Sequence, residues 1–110
     1  METIKSSEEI TRLFTQGKRY HTPYLTFIVL PRRDHGEQTD GRVAFIAGKK
    51  LGNAAWRNKA KRRMRAVCKD IGGPWENLDV VFLAKKKVTE AQYIDLLQTC
   101  SDIEGRLRDQ

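Results

Sequence analysis

Residues 42–69 of this chain read RVAFIAGKKLGNAAWRNKAKRRMRAVCK, and they hold ten Lys or Arg residues and no Asp or Glu. The whole 110-residue chain carries 21 basic and 14 acidic side chains, so the residues outside this stretch hold 11 basic and 14 acidic ones. The positive charge is therefore local. Such a concentration is typical of a surface that binds a polyanion, and it exceeds what general solubility requires.

The pattern inside the stretch predicts a strand followed by a long helix. Hydrophobic side chains alternate over Arg42 to Gly48, which is typical of a strand. Lys49 to Asn53 should turn the chain, with Asn53 as a plausible N-cap. The helix can continue to Ile71, because Gly-Gly-Pro follows there.

At about 100° per residue, the predicted helix has two distinct sides. The apolar side should be buried and comprises Trp56, Ala60, Met64, Val67 and Ile71. The other side is polar and basic, and it comprises Arg57, Asn58, Lys61, Arg62, Arg65 and Lys69. Arg63 falls beside the apolar side, which favours a position along the sheet edge over an outward one.

The basic side of this helix has two interpretations. A merely solvated face usually mixes charges, since Glu and Lys four residues apart stabilise one another. Here Arg57, Lys61 and Arg65 stack on one side with no acid between them. That costs a few tenths of a kcal/mol per pair in an isolated helix, and phosphates would relieve it. The pattern favours nucleic-acid binding over a solvated face.

The sequence of the N-terminal third predicts a helix and a strand. Ser6 or Ser7 can cap a short helix that Gly17 ends. Tyr24 to Leu30 is rich in aromatic and branched residues between two prolines, as in a strand. The polar segment from Arg32 to Gly41 should be an exposed hairpin loop, which makes this strand and the next an antiparallel pair.

The C-terminal third predicts a central strand and a last helix. Leu78 to Ala84 is mostly apolar, as expected for a strand inside the sheet. Three lysines, Lys85 to Lys87, follow it. The last helix should start near Thr89, because Thr89 and Gln92 have the spacing of a capping box. The predicted order is helix, strand, strand, helix, strand, helix, which is a small α+β sandwich.

Length and composition predict one domain covering residues 1–110. There is no apolar run of the roughly 20 residues that span a bilayer and no apolar N-terminal signal segment, so we expect a cytoplasmic protein. Cys68 and Cys100 should be buried apolar residues on helices. Neither they nor His21 and His35 have the spacing of a metal site.

The run from Lys49 to Arg65, KKLGNAAWRNKAKRRMR, resembles the characteristic motif of the bacterial ribonuclease P protein subunit. The resemblance rests on Arg57-Asn58, the preceding Gly52-Asn53-Ala54 and the following Lys61-Arg62-Arg63. It extends over nearly the whole chain. In fold, it implies a two-layer α/β sandwich like the second domain of ribosomal protein S5, with a left-handed crossover around the basic helix. General packing rules alone favour a right-handed connection.

In function, the resemblance implies the accessory subunit of an endoribonuclease. The partner RNA would hold the catalytic Mg²⁺ and remove the 5′ leader of precursor tRNA, with no catalytic or metal-binding residue in the protein. No membrane and no obligate protein partner are expected. By resemblance, the residues that bind the catalytic RNA are Lys49, Lys50, Asn53, Arg57, Asn58, Lys61, Arg62, Arg65 and Lys69.

The resemblance also implies a cleft for the single-stranded leader. Its candidates are Phe14 on the first helix, Phe27 or Ile28 on the first predicted strand, and Lys85 after the last strand. Aromatic side chains stack on unpaired bases in such grooves. Strand alternation allows only one of Phe27 and Ile28 on the cleft side, and core packing is the competing interpretation of both.

Three other functions fit the sequence less well. A nuclease that carries its own two metal ions needs clustered carboxylates, and the basic stretch has none. A DNA-binding regulator would place the basic helix in a major groove, but the strands around it favour a helix backed by a sheet. A ribosomal-type or RNA-chaperone protein has the same composition, and only the motif argues against it.

Overall fold

The computed structural model describes residues 1–32 and 39–109, and His35 and most of the predicted loop at 32–41 lie outside them. Its helices and strands follow in this order: α1 (Ser7–Gln16), β1 (Lys18–His21), β2 (Leu25–Pro31), β3 (Arg42–Ile46), α2 (Ala54–Asp70), β4 (Leu78–Ala84) and α3 (Tyr93–Arg108). Short 3₁₀ turns occupy Lys49–Leu51 and Lys86–Thr89. The predicted α+β class is confirmed.

Strand β1 is absent from the predicted order. Its sequence, KRYH, is four residues long and largely charged, so it lacks the apolar alternation by which a strand is found. It pairs with β2 in antiparallel register, with Arg19 opposite Ile28.

The sheet has the strand order β1-β2-β4-β3 within the described residues. The predicted antiparallel pairing of the strands now numbered β2 and β3 is wrong, because β4 lies between them. β4 is antiparallel to β2 and parallel to β3. The prediction that this apolar strand is central is confirmed. A mostly apolar strand gains most free energy with a neighbour on each side and both faces covered.

Helix α2 connects the parallel neighbours β3 and β4, as expected for a crossover unit. The left-handed sense of this crossover stays a prediction.

The two faces of the sheet carry different helices. α2 and α3 cover one face, where Phe82 of β4 lies in ring contact with Phe27, Phe45 and Trp75. α1 packs on the other face, where Leu13 joins Ile28, Ala44 and Val81 in a smaller core. The sheet with α2 and α3 forms the expected two layers, and α1 adds a partial cover on the far side.

The last helix begins later than predicted. Thr89 ends a 3₁₀ turn and α3 starts at Tyr93, so the proposed capping box is wrong. Two tertiary contacts explain the difference. Val88 is fully buried, and the Thr89 hydroxyl accepts a hydrogen bond from the Trp56 indole (2.9 Å).

Both cysteines are free, buried and helical, as predicted. Burial raises the pKa of each thiol to about 12, so both stay protonated and unreactive near neutral pH. Among residues 1–32 and 39–109, no three His, Cys, Asp or Glu side chains come together in a group that could hold a metal ion. In the same ranges, no helix has the length and apolar character needed to cross a membrane.

Candidate nucleic-acid interface

The start of α2 is fixed by local contacts. Asn53 is its N-cap, as predicted, and its side-chain oxygen accepts a hydrogen bond from the Trp56 amide (2.9 Å). Gly52 is required next to it, because a Cβ there would lie 2.7 Å from the Trp56 ring. The Arg57 guanidinium donates to the Gly52 carbonyl (3.1 Å). The motif residues therefore hold the turn against the helix they introduce.

The buried side of α2 is close to the predicted one. Ala60, Met64 and Val67 are fully buried, while Trp56 and Ile71 are partly buried at its ends.

Arg63 has a structural role, and its hydrogen-bond partners lie outside the sheet strands. Its guanidinium donates to the carbonyls of Val88 (2.8 Å) and Ala91 (2.7 Å), between the second 3₁₀ turn and α3. The helical periodicity correctly separated Arg63 from the basic side, but its hydrogen-bond partners belong to a distant segment. Arg63 is therefore a packing residue of α2.

The opposite side of α2, called the α2 surface below, faces solvent. Four of its members are exposed and two are half-buried: Asn58, Arg62, Arg65 and Lys69, then Arg57 and Lys61. None of these side chains forms an ion pair with any residue in the described ranges. A helix face with this many unpaired cations presents a strong positive potential. The structure thus brings the predicted RNA-binding residues of the helix together on one surface.

The positive surface extends beyond the N-terminus of α2. Lys49 and Lys50 are exposed on the first 3₁₀ turn. Lys86, from the run after β4, reaches this turn: its ammonium donates to the Leu51 carbonyl and lies 5.6 Å from the Trp56 ring centroid. Sequence reasoning did not select Lys86, because no local spacing links it to residues 35 positions earlier.

The α2 surface does not fit Mg²⁺. This ion takes oxygen ligands, mainly carboxylates and phosphates, whereas the surface offers ammonium and guanidinium groups. The Asn53 oxygen is already used by the Trp56 amide.

The sheet face that carries α1 forms the second candidate site, called the α1 face. Its partly buried apolar side chains are Ile10, Phe14, Leu30, Ile46 and Leu83. Arg19 of β1 lies over Phe14, with its Cζ 5.5 Å from the ring centroid, and donates to the Phe14 carbonyl (3.1 Å). Phe14 is therefore partly exposed beside a cation, as its predicted role requires. Arg19 was missed together with β1.

The other residues predicted to bind the leader are buried or form hydrogen bonds within the protein. Phe27 is wrong as a cleft residue, because it is fully buried on the opposite face, under α2 and α3. Ile28 does lie on the α1 face, but it is also fully buried and cannot contact a ligand. Lys85 is half-buried, and its ammonium donates to the Thr22 carbonyl (2.6 Å), which ties the end of β4 to the β1–β2 turn.

A balanced charge cluster fastens α1 to the sheet. Arg42 donates to both carboxylate oxygens of Asp79 (3.0 and 2.8 Å) and also to Glu9 of α1. These contacts raise the pKa of the guanidinium, and the Arg42 hydrogen bond lowers the pKa of Glu9. Arg32 lies 3.7 Å from Asp79 as well. The cations here are neutralised within the protein, unlike those of the α2 surface.

Comparison with known proteins agrees with this arrangement. The chain matches the family model described as Ribonuclease P over residues 1–108. It is 29% identical over 108 residues to the ribonuclease P protein component of a Nitratiruptor species, covering 98% of this chain and 94% of the relative. It is 32% identical over 93 residues to that of Natranaerobius thermophilus, covering 83% of this chain and 76% of the relative.

Solved structures support the same fold. The RNase P protein of Staphylococcus aureus superposes with a TM-score of 0.77 at 19% identity, covering 96% of this chain and 94% of that one. The protein from Thermotoga maritima superposes with a TM-score of 0.76 at 20% identity, covering 96% and 97%. Because the family model spans nearly the entire chain, this protein belongs to the bacterial ribonuclease P protein family.

Proposed function

We propose that this ribonuclease P protein binds the catalytic RNA of the enzyme through its α2 surface and the 5′ leader of precursor tRNA through its α1 face. The RNA subunit performs the cleavage that forms the mature 5′ end and holds the Mg²⁺ ions. The protein acts as a cofactor of that reaction in the bacterial cytoplasm.

The observation that carries the proposal is the α2 surface, where exposed cations have no acidic partner in the described residues. Each Lys or Arg that neutralises a phosphate releases counterions, which drives association and makes it salt-dependent. A structured RNA and a leader-bearing substrate repel one another through their phosphates. A cationic surface between them lowers that repulsion within a Debye length of roughly 10 Å at moderate salt.

The geometry supports two simultaneous contacts. α2 and α1 lie on opposite faces of one sheet, so neither surface blocks the other. The α1 face suits unpaired nucleotides, because it combines an aromatic ring with an apolar surface and the Arg19 guanidinium. Lys49 and Lys50 lie before the start of α2 and would contact RNA phosphates there.

Reconstitution tests this function. Purified protein is added at low Mg²⁺ to a bacterial ribonuclease P RNA and a precursor tRNA with a 5′ leader. We expect a clear gain in 5′ cleavage over RNA alone, because the protein offsets the phosphate repulsion that Mg²⁺ otherwise screens. The Arg108→Ala variant should give the same gain as wild type, since Arg108 is an exposed arginine on α3 with a Glu104 partner and belongs to neither proposed surface. The absence of any gain would overturn the proposal.

The alternative functions predict other outcomes. An RNA chaperone would accelerate the annealing of unrelated RNA strands and would not depend on the ribonuclease P RNA. A DNA-binding regulator would prefer duplex DNA with a particular sequence. The family match favours neither of them.

A further inference from the structure

Arg65 differs from the other cations of the α2 surface because it lies on an aromatic ring. Its Cζ is 5.2 Å from the ring centroid of Phe45, on the neighbouring strand β3. The Phe45 ring is held in turn by the core, since its centroid lies 5.1 Å from that of the fully buried Phe82. The guanidinium therefore has a defined platform beneath it.

The guanidinium of Arg65 is available to a ligand. The side chain belongs to an exposed residue, and within residues 1–32 and 39–109 it has no hydrogen bond or ion pair. By contrast, Arg63 uses its donors on the carbonyls of Val88 and Ala91. An aromatic contact orients a guanidinium without occupying its N–H groups.

Flat groups of this kind are the surfaces on which unpaired bases stack. Single-stranded segments of RNA place their bases on aromatic rings and on guanidinium planes. Lys61 and Lys69 lie one helical turn before and one after Arg65, which separates neighbouring cations by about 6 Å along the helix axis. A stacked base at Arg65 would thus have a cation on either side for the flanking phosphates.

We propose that Arg65 and Phe45 together form a stacking site for one unpaired base of the RNA bound by the α2 surface. This inference rests on the proposed function and adds the class of nucleotide that the surface takes. A paired helix has its bases stacked on one another already and would meet Arg65 only as a charge. The site therefore favours a bulge, loop or junction over a continuous duplex.

Two substitutions isolate stacking from charge. Arg65→Lys keeps the charge and removes the planar group. Phe45→Leu keeps an apolar side chain and removes the ring. We expect each to weaken binding to ribonuclease P RNA roughly tenfold, with an unchanged slope of log affinity against log salt, because no phosphate contact is lost. Arg108→Lys is the matched control, on the exposed end of α3, and its affinity should stay within about twofold of wild type.

Chemical probing of the RNA supplies a second readout. The wild-type protein should protect one unpaired base, and both substitutions should remove that protection while Arg108→Lys keeps it. Urea unfolding of Phe45→Leu checks its fold, and Arg65→Lys, on an exposed position, carries the test if that variant is unstable. Wild-type affinity and protection in Arg65→Lys would overturn the inference alone. Failure of the wild-type protein to bind the RNA would overturn the proposed function as well.

Discussion

The α1 face and the α2 surface each place an arginine over a phenylalanine, but their electrostatic surroundings differ. On the α1 face, Arg19 of β1 lies over Phe14, while Arg42 of β3, at the other edge of the sheet, is neutralised by Glu9 and Asp79. On the α2 surface, Arg65 lies over Phe45 among cations that lack acidic partners in the described residues. The same local pairing therefore occurs on a face that also holds an internally neutralised charge cluster and on a surface of cations without acidic partners in the described residues.

We infer from this difference that the two surfaces have different roles in binding RNA. Unpaired cations give affinity for any phosphate backbone and a strong dependence on salt. A balanced, apolar face with one aromatic ring gives less of both and relies on contact with bases. We therefore expect the α2 surface to dominate binding to the RNA subunit, and the α1 face to distinguish precursor from mature tRNA.

The largest effect should come from removing Arg42, the centre of the charge cluster that fastens α1 to the sheet. Arg42→Ala leaves Asp79 without its main partner, and the Asp79 side chain is only 11% exposed. Loss of one member of a largely buried ion pair costs on the order of 3 kcal/mol in unfolding free energy. Urea denaturation measures this. Arg62→Ala, an exposed arginine on α2, is the matched control and should change stability by less than about 0.5 kcal/mol. Equal stability of the two variants would contradict the role of Arg42.

The second-largest effect should come from removing cations from the α2 surface. Lys61→Ala with Arg62→Ala removes two cations from the α2 surface, so we expect affinity for ribonuclease P RNA to fall about tenfold or more at low salt. The slope of log affinity against log salt should become shallower by roughly one unit per lost phosphate contact. Filter-binding titrations at several salt concentrations measure both quantities. An unchanged slope would mean that this helix face is merely solvated.

A smaller effect should appear on the α1 face. Phe14→Leu removes an aromatic ring at a partly exposed position, and stacking on one base is worth about 1–3 kcal/mol. We expect weaker binding of leader-bearing precursor by the reconstituted enzyme and nearly unchanged binding of mature tRNA. Ile94→Ala, at an exposed apolar position on α3, is the control. Equal losses for precursor and mature tRNA would assign Phe14 to the core.

The smallest effect should be the loss of the Glu9 contribution to stability at low pH. The Arg42 hydrogen bond lowers the folded-state pKa of Glu9 below its ordinary 4.5. The stabilisation is therefore fully present above about pH 4.5 and is lost as pH falls through the lower folded-state pKa. Because Glu9 is 42% exposed, solvent screening keeps this contribution below about 1 kcal/mol. The stability advantage of wild type over Glu9→Gln should shrink on acidification. A gap that widened towards low pH would have the wrong sign.

Much of the candidate site follows from sequence because its causes are local. Asn53 caps the helix three residues before Trp56, and the four-residue spacing of Lys61, Arg65 and Lys69 places them on one side. Such contacts depend only on helical geometry. The chain alone therefore predicts the length of α2, its start and its two sides.

The remaining features depend on strand neighbours that the sequence pattern does not specify. Alternation shows that Phe27 and Ile28 face opposite ways, but only the strand order and the position of α1 decide that neither contacts a ligand. Likewise, β1 is short and charged and has no apolar pattern that would predict a strand. Arg19 was therefore not predicted as a residue of the α1 face.

By itself, the sequence of this protein determined a basic helix, its cap and the family to which it belongs, because periodicity and motif spacing act over a few residues. Only the tertiary structure decided that β4 separates β2 from β3 and that Arg42 binds both Glu9 and Asp79. It also decided that Phe45 supports Arg65. These contacts join residues that are distant along the chain, where burial and charge neutralisation across the whole fold select the partners.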